Sequence, residues 1–325
     1  MALFRAFCLV VGLLACVVVA TEDNKCSAHD RKGKNIGKNL PRGFEPSDLV
    51  ASGDSLFIVS DEGVLAQTDF YGGVREIWRI EKGKDLEGVC VVPSRPEVVY
   101  LGIESPPSVE EYDISEKTLV RKWDVSDYAA LAVRQRGLDG EDGIEALAYV
   151  SRCDERMLED GDPCEFIYVG YQRSAVIHVF DLPPKTGDAD LNYRGYILPP
   201  GPAQDLAALY MWKDDLYANY DKPKTMVAMS LLDPHFVPPP GETLSTDASK
   251  DDVPTWVFDR RGQEGVAFGG DYFFVAEDPP EGKGKKTVRR YDADTVDACF
   301  KTNDGADATK PWGPGLRGDS GVLEV

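Results

Sequence analysis

Apolar residues in this chain gather in short runs separated by turn signals, with no sustained helical spacing. Five stretches share one layout: "PSDLVASGDSLFIVSDEG", "DLEGVCVVPSRPEVVYLGIES", "GIEALAYVSRC…CEFIYVGYQ", "QDLAALYMWKDDLYANYDK" and "GQEGVAFGGDYFFVAEDP". Each has an acid, an apolar run, a turn, and a second run rich in Val, Ile, Tyr or Phe. That pattern predicts hairpins of buried strands. The leading acids are Asp48, Glu87, Glu145, Asp205 and Glu264, spaced 39, 58, 60 and 59 residues apart.

The second half of each unit also recurs. A third strand ends in an aromatic residue and Asp at Tyr112-Asp113, Phe180-Asp181 and Tyr291-Asp292, and a fourth carries Trp78, Trp123, Tyr196 or Trp256. Packing between neighbouring sheets accounts for these aromatics. Four strands per unit, repeated radially, predict an all-β fold: a five-bladed β-propeller with four antiparallel strands per blade. Such blades bury both faces, so their inner strands read as continuous apolar runs. The blades are expected near 44–80, 85–125, 143–198, 203–258 and 262–303, within a propeller spanning 44–303. Residues 21–43 are expected to supply a closing strand, and 304–325 to form an irregular tail. A sixth blade in the two end segments stays open.

The repeat explains why acids bracket each hairpin. In a propeller the start of the first strand and the end of the second lie at one end of the central channel. Asp48 with Asp61, Glu87 with Glu104, Glu145 with Gln172, Asp205 with Asp221, and Glu264 with Glu277 would then circle one mouth. Like charges this close raise one another's pKa. A hard cation relieves the repulsion, and calcium takes six to eight oxygens at about 2.3–2.6 Å in a loose geometry. These ten residues are the expected metal ligands, with calcium as the cofactor. The competing reading is a set of solvated strand-end acids in an acidic protein.

Composition narrows the partners. The chain has 325 residues, 36 Lys and Arg against 56 Asp and Glu, and a net charge of −20. That charge disfavours nucleic acid and anionic membrane. Arg5, the apolar stretch 7–19 and small residues before Thr21 read as a signal peptide over residues 1–20, with a membrane anchor as the alternative. No later stretch is long and apolar enough to span a bilayer, so a secreted or lumenal monomer is expected. An oxidising compartment permits disulfides. Cys153 and Cys164 flank a turn-rich segment and form the first expected pair. Cys26 and Cys299, near opposite ends, form the second, and Cys90 inside "GVCVVP" reads as a buried thiol.

Basic residues cluster in the loops on the acidic side. Arg173, Lys222, Lys224 and Arg260 are candidates to hold an anionic or phosphorylated small molecule beside calcium, although basic residues also favour loops for solubility alone. The three histidines, His29, His178 and His235, fall away from the predicted axis, so a histidine base is not expected.

The steps Glu87-Gly88-Val89, Glu145-Ala146-Leu147 and Glu264-Gly265-Val266 resemble those of the phytase-like, or SdiA-regulated, propeller family, over residues 44–300. Calcium-dependent apyrases look similar through Asp48-Leu49 and Asp205-Leu206. Lactonase-type propellers are a third relative, but they use a channel histidine. The resemblance implies a calcium-lined propeller without implying one activity. Two functions stand side by side. One is metal-dependent hydrolysis of a phosphoric ester or anhydride, with Glu87 or Glu264 as base. The other is a non-catalytic ligand- or protein-binding propeller with structural calcium.

Overall fold

The structure is a computed structural model. It describes residues 33–153, 164–199, 205–212, 215–222, 224–230, 242–245, 255–258, 262–277 and 287–293. The expected signal peptide, Cys26, Cys299, Arg260, His29, His235 and the C-terminal tail lie outside them. Among the described residues are 21 strands, β1 to β21, and one α-helix, α1.

β1 (Lys34–Asn35) precedes the first sheet, which comprises β2 (Pro46–Ser52), β3 (Ser55–Ser60), β4 (Val64–Asp69) and β5 (Val74–Arg79). The second comprises β6 (Leu86–Val91), β7 (Val98–Ile103), β8 (Ser108–Asp113) and β9 (Thr118–Asp124). After α1 (Ser126–Gln135), the third runs β10 (Ile144–Ser151), β11 (Glu165–Tyr171), β12 (Ile177–Asp181) and β13 (Asn192–Leu198). The fourth contains β14 (Leu206–Trp212), β15 (Asp215–Tyr220), β16 (Thr225–Ser230) and β18 (Thr255–Val257). In the fifth, β19 (Gln263–Gly269), β20 (Tyr272–Glu277) and β21 (Thr287–Asp292) are followed by β1, which pairs Lys34 with Arg290 and Asn35 with Arg289. These are the five antiparallel blades of a β-propeller.

The repeat pattern does not reveal one strand. β17 (Glu242–Ser245) leaves the fourth unit and pairs in parallel with β13, adding a fifth strand to the third blade. It covers an edge whose unpaired amides and carbonyls would otherwise face solvent.

The innermost strands touch in sequence around the axis: β2 with β6, β6 with β10, β10 with β14, β14 with β19, and β19 with β2. Small residues allow the approach. A Cβ on Gly88 would stand 3.0 Å from the Leu147 nitrogen, and one on Gly265 would stand 2.8 Å from the Asp48 Cα. The glycine of each acid-Gly step is therefore explained by packing between blades. The outer aromatics bridge blades too. Trp78 donates its indole N–H to the Ile114 carbonyl at 3.0 Å, and Trp123 donates to the Ala189 carbonyl at 3.0 Å. The Cys153–Cys164 disulfide is formed, with Cα atoms 4.8 Å apart, and Cys90 is a buried free thiol.

Candidate metal centre

Each innermost strand carries a β-bulge near its start, which leaves one residue without a cross-strand partner. The register shifts fall between Pro46 and Asp48, Leu86 and Gly88, Ile144 and Ala146, Leu206 and Ala208, and Gln263 and Gly265. The bulged residues are therefore Ser47, Glu87, Glu145, Ala207 and Glu264. Three leading acids share this position. Asp48 lies one residue beyond it and Asp205 two residues before it.

That offset gives Asp48 another task. Its carboxylate is 1% exposed and accepts the Leu49 N–H at 2.8 Å and the Val89 N–H at 2.9 Å. It thus ties the first blade to the second. Burial pushes its pKa well above the usual range, against the lowering effect of the two amides. Ser47, in the bulge itself, accepts the Asp61 N–H at 3.0 Å, and the Ser60 hydroxyl donates to Asp61 at 3.3 Å.

Glu87, Glu145 and Glu264 act on one another electrostatically. Burial pushes Glu87 well above the ordinary carboxyl value, and the charges of Glu145, Asp85 and Glu264 push the same way. Glu145, 6% exposed, is raised first by burial and then by Glu264, Glu104 and Asp85. A carboxyl–carboxyl hydrogen bond links Glu87 to Glu145, and another links Glu87 to Asp85. Glu104, also bonded to Asp85, is pushed up to about 7, mainly by burial. Its side chain leans over Gly143, where a Cβ would meet the Glu104 Cγ at 2.3 Å. A bond between two carboxyls needs a proton on one of them, which agrees with the upward shifts of Glu87, Glu145 and Glu104.

The other hairpin ends divide by task. Gln172 and Asp221 follow β11 and β15 and donate their backbone N–H groups to the Gly143 and Asp205 carbonyls at 3.1 and 3.0 Å. The Asp221 carboxylate also accepts the Gly262 N–H, joining the fourth blade to the fifth. Glu277 pairs with Gln263, one residue inside the position of Gln172 and Asp221. It accepts hydrogen bonds from Thr287 at 2.8 Å and Arg289 at 2.5 Å. Its carboxylate is thus engaged by the third strand of its own blade.

The ring of acids is broken at Ala207, whose methyl occupies the bulge filled by glutamate on either side. A cavity of about 230 Å³ opens there, lined by Glu145, Gln172, Asp205, Leu206, Ala207, Asp221, Lys222 and Glu264. Asp205 adopts the left-handed backbone region at φ 58°, a strained conformation for a residue with a Cβ. Its carboxylate forms an ion pair with Lys222. Arg173, another expected anion ligand, instead donates to the Glu141 carbonyl at 2.6 Å and the Asp139 carbonyl at 3.2 Å. Lys224 caps the β15–β16 turn through its backbone, its N–H on Asp221 and its carbonyl on Phe258.

The donor set at the mouth is all oxygen, from carboxyls and the Gln172 amide, which is the chemistry of a hard cation. Among the described residues no three His, Cys, Asp or Glu side chains converge in a metal-holding arrangement as they stand. The three glutamates therefore fit calcium in kind. In position, Glu87 is bonded to Glu145 and to Asp85, and Glu264 acts on both glutamates through its charge.

No family model matches the chain, and no curated protein matches it. Among solved structures it is similar to the glutaminyl cyclase of Myxococcus xanthus, at 12% identity and a TM-score of 0.44, over 80% of this chain and 94% of that one.

Proposed function

We propose that the protein is a secreted β-propeller that binds calcium at one mouth of its channel and works as a ligand-binding module. The observation that carries this reading is the set of bulged glutamates, Glu87, Glu145 and Glu264. Three blades present a carboxyl at one structural position; the charge of Glu264 raises the pKa of both Glu87 and Glu145, and that of Glu145 raises Glu87 further. Burying mutually repelling carboxyls costs stability, and a ligand that neutralises them returns it. The acid-Gly and acid-Ala steps, through which the chain resembles phytase-like propellers, support the same reading. The Cys153–Cys164 bridge favours an oxidising compartment.

A second reading is metal-dependent hydrolysis of a phosphoric ester or anhydride. It is favoured by the cavity beside Glu145 and Glu264, with the Lys222 ammonium at its edge. In that case Lys222 would leave Asp205 to meet the anionic ligand.

Titration calorimetry of metal-stripped protein with calcium tests the site, and a panel of nucleotides and phosphate esters separates the two functions. A saturable calcium isotherm that weakens in Glu145→Gln supports the site, and the absence of binding by the stripped wild type removes it. Calcium-dependent phosphate release would replace the first function with the second.

A further inference from the structure

The face opposite the carboxyl mouth carries a stack that neither the repeat nor the acidic site uses. Tyr71 lies in the turn between β4 and β5, Tyr272 opens β20, and Arg290 lies on β21. The Arg290 guanidinium sits 4.6 Å from the centre of the Tyr71 ring and 4.2 Å from that of Tyr272. One of its nitrogens donates to the Phe70 carbonyl at 3.2 Å. This clamps both rings, and the two phenol oxygens come within 3.2 Å of each other. The ring centres are 6.1 Å apart at an interplanar angle of 75°.

Packing does not account for this arrangement. Tyr71 is 63% exposed and buries little apolar surface. Water would satisfy both hydroxyls equally well, so their mutual contact adds little to stability. The location is the informative feature. The two residues are 201 apart in sequence and belong to the first and fifth blades. This is the seam where the ring of blades closes, next to a fifth blade completed only by the two-residue pairing of β1.

The geometry points to a covalent use of the pair: Tyr71 and Tyr272 form a modification site, at which one-electron oxidation joins the two rings as dityrosine and locks the first blade to the fifth. The oxidant is a one-electron acceptor of the haem-peroxidase class working on hydrogen peroxide. Each phenol gives up one electron to it and one proton to water, leaving a phenoxyl radical on each ring. The two radicals pair into a carbon–carbon bond between the positions ortho to the hydroxyls. Each joined carbon then passes its hydrogen, as a proton, to its phenoxyl oxygen. The product regains two phenols, and the protein has lost two hydrogen atoms. The clamp by Arg290 holds the rings together while the radicals live, and the exposure of Tyr71 lets the oxidant reach it. Tyr128 and Tyr193 have closer ring centres, at 4.9 Å, but both are half-buried, and the Tyr193 phenol is bonded to Gln135.

Treating the full chain with a haem peroxidase and hydrogen peroxide tests this. The expected result is dityrosine fluorescence in the monomer fraction, an intact mass lower by two hydrogen atoms, and a cross-linked peptide joining Tyr71 to Tyr272. Tyr71→Phe and Tyr272→Phe keep the rings and the stack, and each should abolish the product. The cross-linked wild type should melt several degrees higher than the identically treated Tyr71→Phe protein. Absence of dityrosine, linkage only between molecules, linkage mapped to Tyr128 and Tyr193, or an unchanged melting temperature would each overturn the proposal.

Discussion

Replacing Asp48 separates the structural acids of the channel mouth from the proposed ligands. In Asp48→Ala two buried amides, Leu49 N–H and Val89 N–H, lose acceptors at 2.8 and 2.9 Å. Each unsatisfied buried donor costs about 1–3 kcal/mol. Removing the buried carboxyl refunds part of this, because burial already pushes it toward its protonated form. The expected net loss is about 3 kcal/mol, a large share of a typical stability of about 5–15 kcal/mol. Asp48→Asn keeps the shape and one acceptor oxygen but turns an NH₂ toward the second donor, so it should lose about half as much. Urea unfolding, run once with chelator and once with saturating calcium, measures both variants. Both losses should be the same in the two conditions, because the Asp48 oxygens are engaged by amides. A loss below about 1 kcal/mol for Asp48→Ala, or one present only with calcium, would refute the assignment of Asp48 as a tie between blades.

Metal-free protein should lose stability as pH rises from 5 to 8. Glu87, Glu145 and Glu104 have folded pKa values above their unfolded ones, so their contribution is complete below about 4.5 and is lost on passing upward through the folded values. For Glu104, moved from 4.5 to about 7, the full effect would be ~3 kcal/mol, reduced to ~1–2 by its partial exposure to solvent. Scanning calorimetry in chelator should show a shallower slope for Glu104→Gln, and equal slopes would count against the cluster. His178 runs in the opposite direction. Burial lowers it to about 3, so its contribution is complete above the unfolded value of 6.5 and falls by about 1.4 kcal/mol per pH unit below that. His178→Gln should flatten the acid limb of urea-derived stability, and an unchanged limb would contradict a buried neutral imidazole. Gly265→Ala should cost about 1–3 kcal/mol, because its Cβ would meet the Asp48 backbone; a neutral result in urea unfolding would show that the inner strands can part.

The sequence by itself determined the five-bladed fold. Inner strands buried on both faces must be continuously apolar, and "LVASGDSLFIVS" and "GVAFGGDYFFVAE" are, so unit, hairpin and blade could all be read from one pattern. The Cys153–Cys164 bridge was legible for a similar reason, since only a short turn-rich segment separates the pair. The α1 helix between the second and third blades, and the return of β17 to β13, were not legible. The first lies between repeats, and the second depends on an edge that exists only once the third blade has formed.

The acids show where sequence alignment stops. Aligning the units on their leading acid treats Asp48, Glu87, Glu145, Asp205 and Glu264 as equivalent. Only the bulges, each one extra residue in an otherwise alternating strand, decide which side chain is left unpaired. They put Ser47 and Ala207 where Asp48 and Asp205 were aligned. A shift of one residue exchanges the two faces of a strand, so an acid one place off serves neighbouring amides instead of the channel mouth. Composition and spacing assembled the carboxylates. The tertiary register made Glu87, Glu145 and Glu264 a cluster, opened the cavity at Ala207, and brought Tyr71 to Tyr272 across 201 residues.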